Sequence, residues 1–111
     1  MKSSFIKIGA RNYSIAILDD DAFNVALSKR TNDCDDAKSF VDYDDQIILV
    51  RGNLSYEHKK ELIVHELLHA CLEDSGSMHG EIEEKMISAL APRLNEFFDR
   101  KFFKKISQLC D

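Results

Sequence analysis

Several residue types that mark special architectures are scarce in this chain of 111 residues. It has three cysteines, Cys34, Cys71 and Cys110, and no two of them form a CxxC pair. Scattered cysteines of odd number argue against a disulfide framework and suit a reducing cytosol, so we predict a cytoplasmic protein. Because Cys71 lies in an apolar segment, we expect it to be a small buried residue of the core.

Long apolar runs and excess positive charge are also missing. No stretch approaches the roughly 18 apolar residues that a membrane helix needs, and the first residues lack the apolar core and cleavage site of a signal peptide. With 15 basic and 20 acidic residues, the net charge is −5, which leaves no cationic excess to neutralise phosphates. We therefore predict neither a membrane nor a nucleic-acid partner.

The chain has the composition of one ordinary globular domain, residues 1–111, with 44% hydrophobic and 32% charged residues. Residues 1–54 are rich in strand patterns, with two strands around a turn at residues 9–12 and two more around a turn at residues 42–45. The segment between these pairs is typical of a short helix or an irregular connection. The apolar run at residues 47–50 suggests a strand covered on both faces.

The second half, residues 55–109, is predicted to be helical. Ser55 is suited to be the N-cap of a helix over residues 56–74, which is apolar nearly all round and therefore buried, and Gly76 ends it. A second helix follows, and Pro92 either kinks it or opens a third. These patterns predict an α+β fold, with a small, mostly antiparallel sheet packed on the buried helix and a C-terminal helix or helices. Apolar residues at helical spacing are expected to join the core: Leu94, Phe98, Phe102 and Ile106.

The buried helix contains the sequence His65-Glu66-Leu67-Leu68-His69, an HExxH pattern. Residues four apart lie one above the other on a helix, so both imidazoles can reach one zinc ion. Glu66 would then act as a general base on a zinc-bound water, whose pKa zinc lowers toward about 7. Two core histidines would instead need separate hydrogen-bond partners, so the pattern favours zinc.

A zinc site that performs catalysis has three protein ligands and one open position, so a third ligand is required. Glu73 and Asp74 lie too close to the histidines on the same helix. A three-histidine variant would need histidine at position 75, where Ser75 stands. His79, in the connecting turn, would reach the metal only by an unusual loop path, and as a fourth ligand it would make the zinc structural.

The start of the second helix offers better candidates for the third ligand. The short link through Gly76 and Gly80 folds this helix back against the first. One face of it is expected to point inward: Glu83, Ile87, Leu90 and Leu94. A carboxylate on an inward face needs a partner, which a metal supplies. We therefore favour Glu83 as the third ligand, with Glu84, about 100° away, as a close alternative.

Three segments together resemble a known family: "VDYDDQIILV", "LSYEHKKELIVHELLHACLEDSG" and "EIEEKMISALAPRL". They are similar to the small phage and bacterial zinc metallopeptidases of the ImmA/IrrE type, minimal relatives of the gluzincins, over about residues 38–98. The resemblance implies a short sheet packed on the active-site helix. It also implies zinc held by His65, His69 and a downstream acidic residue, Glu83 or Glu84, with Glu66 as general base.

Two functions of different classes compete. The leading hypothesis is a zinc-dependent peptidase that hydrolyses a peptide bond in a protein or peptide substrate. A peptidase also needs a donor for the oxyanion of the tetrahedral intermediate, and the candidates are His58, Tyr56, His79 and Tyr43. None of these is fixed by its spacing, which keeps open the alternative of a zinc-binding regulatory module with little or no hydrolysis.

Overall fold

A computed structural model describes residues 2–31, 37–76 and 80–110, which form a four-stranded sheet and four helices. The predicted α+β class is confirmed. The strands are β1 (Lys2–Ile8), β2 (Arg11–Leu18), β3 (Ser39–Asp42) and β4 (Ile47–Arg51), and the helices are α1 (Asp20–Ser28), α2 (Tyr56–Ser75), α3 (Glu81–Phe97) and α4 (Arg100–Cys110). None of these helices is long and apolar enough to cross a membrane.

The strands are ordered β1-β2-β4-β3 across the sheet. The pairs β1–β2 and β3–β4 are antiparallel, whereas β2 and β4 are parallel, with Ser14 opposite Ile47 and Leu18 opposite Arg51. The sheet is thus mixed, and two of its three pairings match the mostly antiparallel prediction. Parallel strands need a long connection, and here α1 and β3 return the chain from the end of β2 to the start of β4.

Strand β4 lies at the centre of the core, with helices on both faces of the sheet. One buried cluster lies toward α2 and contains Ile8, Tyr13, Ile48, Val50 and Ala70. The other lies toward α1 and contains Leu18, Phe23, Leu27 and Leu49. Successive side chains of a strand point to opposite faces, so an uninterrupted apolar strand fits a sheet covered on both sides. The prediction for residues 47–50 is confirmed.

The segment between the two predicted strand pairs forms a short helix, α1, over its first part. Asp19 caps this helix, since one carboxylate oxygen accepts a hydrogen bond from the backbone N–H of Ala22 at 2.8 Å. Residues 32–36, which include Cys34, lie outside the described residues.

Helix α2 begins and ends where its capping residues predict. The Ser55 hydroxyl accepts a hydrogen bond from the His58 backbone N–H at 3.2 Å. Gly76 adopts the left-handed conformation, with φ 70° and ψ 15°, that a helix C-terminus commonly requires. The prediction that Cys71 is buried is wrong, because its side of α2 is not covered and the residue is exposed.

Helix α3 continues through Pro92 to Phe97, and the chain then changes direction. Phe98 is not helical, with ψ 67°, and Asp99 caps α4 by accepting a hydrogen bond from the Phe102 backbone N–H at 2.7 Å. The predicted apolar stripe is therefore divided between two helices. Phe98 and Ile106 are 42% and 41% exposed, so the expectation that they join the core is wrong.

Candidate metal centre

The HExxH residues project from the middle of α2. The rings of His65 and His69 meet edge to face, with centroids 5.0 Å apart. Both imidazoles are half-buried, and the Glu66 carboxylate between them in sequence is buried. The four-residue spacing therefore brings both rings to one side of the helix, as the pattern predicts.

Helix α3 packs against α2 and brings the carboxylate of Glu84 to both histidines. One oxygen of Glu84 lies 3.1 Å from His65 Nε2, and the other lies 2.7 Å from His69 Nε2. Ligand atoms of these three residues all lie within 4.8 Å of one another. Two ring nitrogens and a carboxylate oxygen thus converge on one point, which is a donor set that zinc accepts.

Glu83 contacts the opposite side of His69. Its Oε2 lies 2.6 Å from Nδ1 of that ring, and its side chain is only 8% exposed. The other oxygen, Oε1, is buried and has no hydrogen-bond partner among the described residues. Glu83 therefore contacts Nδ1 of His69, whereas Nε2 of the same ring points toward Glu84 and His65.

The inward face of α3 differs by one residue from the predicted one. Glu83, Ile87 and Ala91 are buried, whereas Leu90 is 44% exposed. The helix is rotated so that positions four apart from Glu83 face α2. Glu84, at the edge of this face, then reaches both histidines. The distances favour Glu84 over Glu83 as the residue that shares a metal ion with the histidines.

His69 lies between two carboxylates, and this limits which protons or cations its ring nitrogens can carry. A neutral imidazole has a single N–H, so it can donate to Glu83 or to Glu84 but not to both. A doubly protonated ring would donate to both carboxylates, and a cation held by Nε2 and Glu84 would also satisfy both, since Nδ1–H could then donate to Glu83. Ligating histidines generally donate their other ring N–H to a carboxylate, a backbone carbonyl or a water, and Glu83 would be such an acceptor.

Burial tunes the acid–base groups of the centre. Burial lowers the pKa of His65 below its usual 6.5, which favours the neutral ring that can bind a metal. Burial also raises the pKa of Glu66 to about 7, an effect that the charge of Glu84 reinforces and His69 opposes. A carboxyl group with a pKa near neutrality is suited to take up and release a proton at physiological pH.

Among the candidate oxyanion donors, Tyr43 lies near the centre. It directly follows β3, and burial together with the charges of Glu83 and Glu66 raises the pKa of its phenol, so the hydroxyl keeps its proton. Tyr56, nine residues before His65, projects to the opposite side of α2, at about 100° per residue. His58 lies in the first turns of α2, and His79 lies outside the described residues.

The sequence did not lead us to predict that Glu83 and Glu84 both contact the imidazole of His69. The available signal was the pair Glu83-Glu84, because adjacent helical residues diverge by about 100° and can approach a ring from two sides. No protein-family model matches this chain, and no curated protein or solved structure is significantly similar to it. The resemblance to ImmA/IrrE-type peptidases therefore rests on the motif residues alone and stays a prediction.

Proposed function

We propose that this protein is a zinc-dependent metallopeptidase whose ion is held by His65, His69 and Glu84. The observation that carries the proposal is the convergence of these three side chains, with Glu84 2.7 Å from one Nε2 and 3.1 Å from the other. Three protein ligands leave a fourth position open, as catalytic zinc sites do and structural ones do not. When bound, zinc would act as a Lewis acid toward the scissile carbonyl and the attacking water.

Glu66 is the general base in this proposal. It follows a ligand directly in sequence, is only 6% exposed, and has a pKa raised by burial to about 7. Its carboxylate takes a proton from the attacking water and, once protonated, passes the proton to the leaving amine. Glu83 does not touch the reacting atoms, and its hydrogen bond to Nδ1 fixes the orientation and tautomer of His69.

The sheet supports a peptide as the substrate. Strand β3 is an edge strand among the described strands, and it packs against α2 beside the centre. An extended peptide can pair with the free edge of such a strand through backbone hydrogen bonds. Tyr43, at the end of β3, would then lie close to the peptide bond being cut and could donate its O–H to the developing oxyanion.

We also place this activity in a reducing cytosol. The described cysteines, Cys71 and Cys110, are both exposed and unpaired by disulfides. Exposed thiols persist in a reducing compartment, and they would tend to oxidise outside it.

The proposal is tested by comparing wild-type protein with Glu66→Gln. We expect about one zinc per chain in both proteins, because residue 66 is not a ligand, and cleavage of a peptide library by the wild type only. The expected loss in rate is about 10²- to 10⁴-fold, the usual contribution of a general base. His65→Ala is the matched control and should lose zinc and cleavage together.

Two results would contradict the proposal at different points. Full zinc content in His65→Ala would refute the metal site. Stoichiometric zinc with no cleavage above the Glu66→Gln background would leave the metal site intact but refute the peptidase, and would favour a zinc-binding regulatory module.

A further inference from the structure

The side of α2 that faces away from the histidines borders a groove of about 840 Å³. This volume lies within the range of about 300–1,000 Å³ that small-molecule sites occupy. Apolar side chains from the end of β2, from α2 and from the residue after α3 line the groove: Ile17, Leu18, Ile63, Val64 and Phe98. A groove with this lining suits a ligand that has an apolar body.

The acidic side chains of the groove are already engaged within the chain. Asp19 caps α1, since its Oδ1 accepts a hydrogen bond from the backbone N–H of Ala22 at 2.8 Å. Asp20 pairs with Arg51 at 3.1 Å through Oδ1, and its Oδ2 accepts a hydrogen bond from the side-chain amide of Asn53 at 3.0 Å. Donors of the protein itself therefore satisfy both carboxylates, which do not require a cationic ligand.

The basic side chains of the groove have no such partner. Lys59 and Lys60 are neighbours on α2, and both are half-buried. Within the part of the chain that the structure describes, neither lysine forms an ion pair with a carboxylate. Covering an ammonium group without a counter-charge costs free energy, so an occupant of the groove should carry an anion. The uncompensated charge of the groove is thus positive, although the net charge of the chain is −5.

A carboxylate on a long aliphatic chain matches both features of the groove. An aliphatic chain has no polar group that needs a partner inside the apolar lining, whereas a bound peptide would bring N–H and C=O groups that must be satisfied. Its head group can accept charge-assisted hydrogen bonds from two adjacent lysines. The net negative charge of the chain does not prevent binding, because charges farther away than about 8 Å are largely screened at physiological ionic strength.

We propose that the groove binds the anion of a long-chain carboxylic acid. The aliphatic chain lies against Ile17, Ile63 and Val64, and the carboxylate accepts hydrogen bonds from the ammonium groups of Lys59 and Lys60. At about 100° per residue, the groove side of α2 is roughly opposite the side that carries the histidines. The site is therefore separate from the candidate metal centre and does not depend on the proposed peptidase activity.

Isothermal titration of the full chain with dodecanoate, kept below its micelle-forming concentration, tests this site. The titration is made in chelator, so that the carboxylate cannot bind a metal held by the histidines. We expect one dodecanoate to bind per chain. Decanoate should bind about 15-fold more weakly, because two buried CH₂ groups are lost. Dodecyltrimethylammonium, which has the same chain and a cationic head, should bind at least about 10-fold more weakly than dodecanoate.

A pair of double variants tests the role of the lysines. Lys59→Gln with Lys60→Gln should raise the Kd for dodecanoate about 10-fold or more, because the charge-assisted hydrogen bonds are lost. Lys7→Gln with Lys85→Gln is the matched control. It makes the same change in net charge at exposed residues of β1 and α3 that do not line the groove, so it should leave the Kd unchanged.

Methyl NMR spectra locate the bound chain. The methyl signals of Ile63 and Val64 should shift on addition of dodecanoate, whereas that of Ile82, which is 67% exposed on α3, should not. A shift at Ile82 without one at the groove would overturn the proposal, because the chain would then lie on another surface.

Three results of the titrations would also overturn it. The first is no binding of dodecanoate at any concentration below micelle formation. The second is a Kd that is the same in the wild type and in the Lys59 and Lys60 double variant, or the same for the cationic amphiphile, since the groove would then not recognise an anion. The third is binding to phosphatidylglycerol vesicles without binding of free dodecanoate, which would make this face a membrane-surface site.

Discussion

The two ends of the helical half depart from ordinary burial in opposite directions. Between α2 and α3, two glutamates, Glu66 and Glu83, are 6% exposed, although charged side chains rarely lie inside a protein. In α4, Ile106 and Leu109 are 41% and 81% exposed, although large apolar side chains usually lie inside. One end holds charge that water cannot reach, and the other presents apolar surface to water.

The two departures differ in what they imply about bound groups. Buried carboxylates are costly unless a cation or hydrogen-bond donor compensates them, and the positions of the histidines fit a cation. Exposed apolar side chains, in contrast, are common on protein surfaces and require no bound group. The two ends therefore call for different measurements: zinc affinity for the proposed metal site, and the free energy of unfolding for the exposed helix.

The largest expected effect is at the metal end, in Glu84→Ala. Loss of this carboxylate removes one of three proposed ligands, so we expect the zinc Kd to rise on the order of 1,000-fold, about 4 kcal/mol. Titration against a competing chelator measures it. Glu81→Ala is the control, because Glu81 is exposed in the same first turn and pairs with Lys85 on the helix surface at 3.7 Å. A larger effect for Glu83→Ala than for Glu84→Ala would exchange the two roles.

The next effect concerns the free energy of unfolding of the metal-free protein. The pKa of Glu66 is about 7 in the folded chain and about 4.5 when unfolded, so the folded state binds the proton more tightly. Stability from this group is therefore full below pH 4.5 and is lost as pH rises through 7. In chelator at pH 9, Glu66→Gln should be more stable than wild type by up to about 3 kcal/mol in urea unfolding.

The low-pH limb of the same experiment is its control. Below pH 4.5, Glu66 is protonated in both states, so the two proteins should unfold at similar urea concentrations. The lowered pKa of His65 affects both proteins equally and cancels in the difference. A stability difference that does not change between pH 4 and pH 9 would show that burial does not hold the proton on Glu66.

Glu83→Gln should have a smaller effect on zinc affinity than loss of a ligand. Glutamine keeps the shape of the side chain but replaces the carboxylate that accepts from His69 Nδ1–H. Groups that orient ligands in this way contribute about 10- to 100-fold to metal affinity. The same chelator competition measures the change, and unchanged affinity would mean that Glu83 does not position the ring.

Local signals were sufficient to predict the helix that carries the candidate metal centre. The cap at Ser55, the left-handed Gly76 and the spacing of His65 and His69 each depend on a few neighbouring residues, and the structure has them as predicted. The parallel pairing of β2 with β4 was not predictable in this way, because it joins segments about 33 residues apart. The preference between Glu83 and Glu84 depended on a small rotation of α3 that no short-range pattern specifies.

The prediction that the C-terminal apolar stripe joins the core was wrong for a local reason that can be found in the sequence. The residues from Leu94 to Ile106 keep helical spacing, which predicts one continuous helix. Aspartate is among the best N-cap residues, and Asp99 accepts the Phe102 N–H as such a cap. Asp99 therefore signals a new helix in the middle of the stripe, and the new helix takes its apolar face away from the core.

The smallest effect is expected at the exposed end, in Leu109→Ser. Because Leu109 is 81% exposed, the substitution should change the free energy of unfolding by less than about 0.5 kcal/mol in dilute solution. Urea unfolding of the variant and the wild type measures this difference. A loss above about 1 kcal/mol in dilute solution would place Leu109 in the core of its own chain and remove the contrast between the two ends.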